Sequence, residues 1–345
     1  MCHKKDFSVT LKIAINGFGR IGRNILRALD ESDRDDMQIV AINDLSSTEN
    51  LAHLLKYDSV HGRFGRPIKH TENSLDIGHG PIEVTAIRNI EDQDWKDNDV
   101  DVVMECTGFF RARDAAAKHL TAGAKRVLIS APGKNADKTI VYGVNHDTLT
   151  SDDLVVSNGS CTTNALAPVA KILNDVFKIE NGFMTTVHAY TGNQPTLDRV
   201  NRKDHNRGRA AAISMIPTTT GAAKAIGLVL PELNGKIDGK AIRVPTPNVS
   251  IVDLTVNVEK SASVEAVNDA FRRAAAKGPL KNIIQIIDDK VVSVDMNHDP
   301  HSSSFVTEET VVMGDKFIRV LSWYDNEWGF SNRMLDTARA MGKLI

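Results

Sequence analysis

Cysteine is scarce in this 345-residue chain, with only Cys2, Cys106 and Cys161. Three scattered thiols exclude a disulfide framework and a zinc site of the usual spacing, and a reducing cytoplasm is the compartment expected. No sign of charge dominates, since 42 Lys and Arg face 44 Asp and Glu for a net −2. That balance gives no electrostatic reason to expect nucleic acid or a membrane surface as partner. No apolar run approaches the roughly 20 residues that span a bilayer. The first residues, Met1 to Asp6, are polar, so no signal peptide is expected. Internal repeats and low-complexity tracts are also missing. What remains is 41% hydrophobic and 25% charged, ordinary for a soluble globular protein long enough for two domains.

Residues 9–15 alternate and then turn wholly apolar, as a buried strand would. They run into Asn16-Gly17-Phe18-Gly19-Arg20-Ile21-Gly22, and helical spacing follows from Arg23 to Leu29. A G-x-G-x-x-G run between a strand and a helix is the context of a dinucleotide fingerprint. Gly17 permits the tight turn, Gly19 admits a pyrophosphate to the backbone, and Gly22 lets helix and strand pack closely. The next strand, residues 37–42, ends at Asn43-Asp44. Asp44 is placed to accept hydrogen bonds from the adenosine ribose and to repel a 2′-phosphate, so NAD rather than NADP is expected. The charged run from Asp30 to Asp36 reads as a solvated loop.

Strands are predicted at residues 82–87, 100–105 and 126–129, with a helix at 114–121 before the last. This alternation argues for a mainly parallel, doubly wound sheet. Cofactors bind beyond the carboxyl ends of such strands, which puts Arg88, Thr107-Gly108 and Ser130 at the cofactor edge. Cys106, at a strand end, reads as a packed thiol.

Near the middle stands Ser157-Asn158-Gly159-Ser160-Cys161-Thr162-Thr163-Asn164, just before a predicted helix over 165–177. A thiol at a helix start meets unpaired backbone N–H groups and the positive end of the macrodipole. Lowering its pKa from about 8.5 to about 6 needs roughly 3.4 kcal/mol. A helix end supplies at best about 2 kcal/mol, so a second group must help if the thiol is reactive. Taken alone, Cys161 reads as a structural core thiol. A strand at 182–187 leads to His188, which by itself could be an ordinary core histidine. The loop after it, with Asp198-Arg199, Arg202-Lys203-Asp204 and Arg207-Gly208-Arg209, carries both signs of charge and no interleaved aromatics. Nucleic-acid binding is therefore not expected there. Alternating runs at 250–258, 291–294 and 317–323 predict a second, largely antiparallel sheet, with a helix at 264–277 and a last amphipathic helix at 332–343.

Asn16–Arg23, Tyr57–Phe64, Ser160–Asn164, His188–Thr191, Thr220–Lys224, Arg243–Asn248 and Ser322–Gly329 together resemble the phosphorylating glyceraldehyde-3-phosphate dehydrogenases, in that family's order. The resemblance implies an α/β fold: a Rossmann-type doubly wound dinucleotide-binding domain plus an α+β catalytic domain with a mostly antiparallel sheet. The cofactor domain is expected over 1–160, with a helix at 326–345 returning to it, and the catalytic domain over 161–325. The implied reaction is oxidative phosphorylation of glyceraldehyde 3-phosphate to 1,3-bisphosphoglycerate with NAD and inorganic phosphate, through a thioester on Cys161. His188 would be its base and would supply the missing stabilisation of a thiolate. Thr191 and Arg243 would hold the substrate's own phosphate. Ser160, Thr162, Arg207, Thr220 and the Gly221 backbone would hold the attacking one. Gly17, Gly19, Arg20, Ile21, Gly22, Asp44, Arg88, Thr107, Ser130 and Asn326 form the expected cofactor set, with Asn326 on the nicotinamide carboxamide. No metal is expected. A homotetramer is implied, with the loop around 190–210 near a neighbouring subunit's cofactor. Erythrose-4-phosphate dehydrogenase, a paralogous enzyme that releases an acid, is the alternative within the same fold.

Overall fold

The computed structural model describes residues 10–32 and 34–345. Val9, the first residue of the predicted strand, Cys2 and the polar start all lie outside the described residues. The chain forms two compact units. The first comprises residues up to Lys138 with Leu149–Asn158 and Met334–Ile345, and the second Thr139–Thr148 with Gly159–Arg333.

In the first unit, six strands run parallel in the spatial order Val155–Ser157, Arg126–Ile129, Val102–Glu105, Leu11–Asn16, Met37–Asn43, Pro81–Thr85. The central strands are almost wholly buried, with Ile13, Ile15, Val102, Val103 and Met104 at 0% exposure, which is why their sequence is continuously apolar rather than alternating. The chain leaves Leu11–Asn16 toward one side of the sheet and resumes on the other with Val102–Glu105. The carboxyl ends of these two neighbours therefore form a topological switch point, the place where an open parallel sheet leaves a crevice. The helix Arg20–Asp30 follows the glycine turn and starts three residues earlier than the apolar spacing indicates. The predicted helix at 114–121 is two short helices, Arg113–Ala116 and Lys118–Thr121, meeting at Ala117. The helix Thr48–Lys56, capped by Ser47, was not read from the sequence.

The second unit carries a mostly antiparallel sheet. Ile179–Ala189 pairs antiparallel with Ser250–Val258, which pairs antiparallel with Phe317–Tyr324. Two pairings are parallel, Ile179–Ala189 with Ile237–Val244 and Ile284–Ile287 with Ser303–Val306. The strand predicted at 291–294 is not one: Ser293–Met296 is a short 3-10 helix with Val292 and Val294 exposed. Its valines imitated an alternating strand but find no neighbour to pair with there. The helix Cys161–Phe177 lies on this sheet with Leu166, Val169, Leu173 and Phe177 buried. Each such side chain contributes roughly 1.5–3 kcal/mol on burial. The same core holds Phe271 stacked on Phe305 at a centroid distance of 3.8 Å. The helix is thus fixed along its length, and with it the residue at its start.

Candidate active site

In the first unit a cavity of about 560 Å³ opens at the switch point, lined by Asn16, Gly17, Gly19, Asp44, Arg88 and Thr107, among others. Gly17 has φ +92°, and a Cβ there would stand 2.6 Å from the Thr107 backbone nitrogen. Only glycine fits. A Cβ on Gly19 would meet no protein atom within 4 Å, and one on Gly22 would collide with the Gly17 carbonyl. Gly19 caps the helix Arg20–Asp30 with no side chain of its own over the helix start, which leaves room for a pyrophosphate there. The Asp44 carboxylate accepts from the Phe18 N–H at 2.8 Å and the Ser46 N–H at 3.0 Å. It therefore ties the second strand to the glycine turn. These features fit a dinucleotide.

Arg20, Ile21, Ser130 and Asn326, also in the expected cofactor set, are not among the residues lining this cavity. The Arg20 guanidinium makes a two-pronged bond to Asp58, at 2.9 and 3.2 Å. Although burial opposes it, the Asp58 carboxyl is held down at about 2 by the His61 and Val60 N–H groups and by Arg20. Ile21 lies in the first helical turn, partly buried. Ser130 donates its hydroxyl to the Glu105 carbonyl at 3.0 Å. Cys106 lines the cavity, with its thiol pushed far up by burial and by Glu105. Asn326 belongs to the second unit, where its Oδ1 accepts from Ser250 Oγ at 2.7 Å.

The second unit brings the central cysteine and histidine together. The helix begins at Cys161 itself, four residues earlier than the sequence reading, because Ser160 is the N-cap and its Oγ accepts from the Thr163 N–H at 3.0 Å. His188 lies next to last in the strand Ile179–Ala189. Its Nε2 stands 3.5 Å from Cys161 Sγ. On the other side of the ring, Nδ1 lies 2.7 Å from the Ala189 carbonyl and 2.9 Å from Arg243 Nη1. Arg243 Nη1 also donates to the Ala189 carbonyl, at 2.9 Å. The carbonyl calls for a proton on Nδ1 and the guanidinium, itself engaged by that carbonyl, calls for a lone pair there; the tautomer with the proton on Nδ1 is the one that turns the Nε2 lone pair to the thiol.

The expectation of a thiolate beside an imidazolium is not what this geometry favours. Burial, then the neighbouring Arg243 cation, push His188 down to about 3. Burial raises the Cys161 thiol, only partly offset by Arg243 and Thr162. Cys161 keeps some accessible surface, yet the packing around Sγ still disfavours charge. Burial thus weighs against charge on both partners, with Cys161 Sγ set against His188 Nε2. The sequence could not show that Arg243 lies against the imidazole rather than only facing a substrate.

Around the pair, Thr162 Oγ1 and Thr186 Oγ1 each share a hydrogen bond of 2.9 Å with the Tyr324 hydroxyl. Tyr324 meets the His188 ring edge-on at 5.9 Å. Its role was not read from the sequence; the alternation over 317–323, carried one residue further into the strand Phe317–Tyr324, puts it on the inward face. Ser250 was missed as well, and its Oγ accepts from the Ala189 N–H at 3.0 Å. Thr191 donates to Asn193 Oδ1 at 2.9 Å, and Thr220 Oγ1 accepts from the Ala222 N–H at 3.1 Å, with Gly221 preceding the helix Ala222–Val229. Arg207 lies in a short 3-10 turn, near enough that its charge also disfavours the imidazolium. Arg209 pairs with Asp198 at 2.9 Å.

Residues 11–113 match the model described as glyceraldehyde 3-phosphate dehydrogenase, NAD binding domain. Residues 160–326 match that enzyme's C-terminal domain. A glyceraldehyde-3-phosphate dehydrogenase of Cereibacter sphaeroides is 61% identical over 337 residues, covering 98% of this chain and all of the relative. One from Xanthobacter flavus is also 61% identical, over 97% of this chain and all of the relative. A third, from Pseudomonas aeruginosa, is 54% identical over 96% of this chain and 98% of the relative. With a nucleotide cleft in one unit, a paired thiol and imidazole in the other and near-complete coverage by these relatives, the chain belongs to the glyceraldehyde-3-phosphate dehydrogenase family.

Proposed function

We propose that this chain oxidises glyceraldehyde 3-phosphate to 1,3-bisphosphoglycerate, with Cys161 as nucleophile and His188 as its base. The observation that carries the assignment of roles is the 3.5 Å approach of His188 Nε2 to Cys161 Sγ at the first residue of a buried helix. In this reading Sγ attacks the aldehyde carbon while the thiol proton passes to Nε2. The Cys161 backbone N–H, at the positive helix end, steadies the oxyanion of the hemithioacetal. That oxyanion takes the proton from His188 to become the hemithioacetal hydroxyl; His188, neutral again, removes it as the carbon is oxidised, and the product is a thioester on Cys161. NAD, when bound, accepts the hydride. Inorganic phosphate then attacks the thioester carbon, the carbon–sulfur bond breaks, and Cys161 is released.

The cofactor belongs to the unit with Gly17, Gly19, Gly22, Asp44, Arg88 and Thr107, and Asn326 is assigned to the nicotinamide carboxamide. Arg243 and Thr191 are assigned to the substrate phosphate. Ser160, Thr162, Arg207, Thr220 and Gly221 are assigned to the attacking phosphate, since the arginine fork and small hydroxyls suit its oxygens. A homotetramer in the cytoplasm completes the reading. The exposed Leu197, Val200, Ile213 and Met215 support subunit contacts along the loop that was expected to meet a neighbour. The test is the initial rate of NADH formation from glyceraldehyde 3-phosphate with and without inorganic phosphate. Phosphate-dependent turnover is expected, and a steady-state rate indifferent to phosphate would refute the acyl-phosphate product.

A further inference from the structure

Beneath the nucleotide cleft lies a buried polar chain that none of these steps uses. Glu105 ends the strand Val102–Glu105 and is 1% exposed. Its Oε1 accepts from the Thr107 N–H at 2.8 Å and from the Thr107 hydroxyl. Its Oε2 accepts from Asn16 Nδ2 at 2.6 Å and His119 Nε2 at 3.0 Å. Trp95 Nε1 donates to His119 Nδ1 at 3.0 Å. An indole N–H only donates, so Nδ1 is the lone-pair nitrogen and the ring proton sits on Nε2, facing Glu105. On the far side, Asn16 Oδ1 accepts from Asn43 Nδ2 at 2.8 Å. Asn43 is itself fixed by Ile87, whose carbonyl accepts from Nδ2 and whose N–H donates to Oδ1.

Four donors therefore converge on one carboxylate, and all but the Thr107 hydroxyl have their direction set by a further partner or by the backbone. The carboxylate holds Thr107 where the Gly17 backbone passes close beside it, the contact that allows no Cβ at Gly17. We propose that Glu105 is a positioning residue for NAD, fixing the Thr107 loop against the glycine turn so that the floor of the cleft is preformed. The proposal rests on the cofactor reading above.

The chemistry requires a carboxylate rather than an amide. In Glu105→Gln an NH₂ must face one of the two donor pairs. Toward Asn16 and His119 it meets donors that cannot reverse: Asn16 is held by Asn43, and His119 Nδ1 is occupied by Trp95. The amide is driven to the Thr107 side, where the backbone N–H loses its acceptor.

The experiment measures NAD binding to the full chain by equilibrium dialysis, amide hydrogen exchange without NAD, and steady-state kinetics. For Glu105→Gln the NAD Kd and KM are expected to rise about tenfold, with kcat changed less than about twofold. Thr107 amide exchange should accelerate, while iodoacetamide alkylation of Cys161 without NAD stays unchanged. Adding Trp95→Phe frees His119 to accept the new amide proton, and part of the affinity should return, which a merely structural Glu105 would not predict. An unchanged Kd in Glu105→Gln overturns the proposal. So does unprotected exchange at Thr107 in the unaltered protein, a result that does not depend on any variant folding. Failure of the unaltered protein to bind NAD would instead refute the cofactor reading.

Discussion

Replacing His188 by Asn tests the depressed basicity of the site through stability rather than rate. The native imidazole titrates at about 3, against 6.5 for an ordinary histidine. Between those values the unfolded chain holds a proton that the native ring refuses, so stability present above pH 6.5 is lost as pH falls toward 3. At about 1.36 kcal/mol for each pH unit the full window amounts to roughly 5 kcal/mol. Between pH 7 and pH 5 the His188 share is about 2 kcal/mol. For a unit of this size that is roughly 4–8 °C in Tm. The assay is the melting temperature of both proteins across pH 5–7. Other groups titrate in both chains, so the difference between the curves isolates His188. The unaltered protein should lose those few degrees more than His188→Asn does. Parallel curves would show that the ring is not held neutral by burial and Arg243. A loss greater in the variant would mean that an imidazolium is stabilised instead, as a thiolate partner would do.

Activity and packing give further tests. His188→Asn should lower kcat by about 10²–10⁴-fold, the usual range for a lost general base, and a loss below tenfold would remove it from that role. Arg243→Lys keeps a charge but not the planar fork, so KM for glyceraldehyde 3-phosphate should rise by about tenfold or more, and an unchanged KM would free Arg243 from the phosphate. Asp44→Asn can still accept from the Phe18 N–H while losing its charge, so the ratio of NADP to NAD use should rise with little loss of fold; an unchanged ratio would argue that Asp44 does not face the ribose. Leu173→Ala, in the buried helix that carries Cys161, should cost about 2–5 kcal/mol by denaturant unfolding, and a cost under about 1 kcal/mol would contradict the packing described.

Some of this was legible in the residues because it is local. The glycine run between an apolar strand and a helix specifies its own turn geometry, and Asp44 follows from the length of one strand–helix–strand unit. The strand over Ser250–Val258 and the helix from Val264 follow from side-chain periodicity alone. The short helix at Ser293–Met296 was misread because alternating valines indicate a strand only when a neighbour is there to pair. The tertiary structure alone decided what crosses long sequence distances. Arg243 reaches His188 because their strands pair in parallel register, residue 188 beside residue 243. Tyr324 reaches Thr162 and Thr186, and Glu105 gathers donors from Asn16 and His119, because folding converges groups whose spacing carries no signal. The residue types of the site were set by the chain; their protonation was set by burial and by the cation that the sheet brings alongside, and neither exists until the strands are paired.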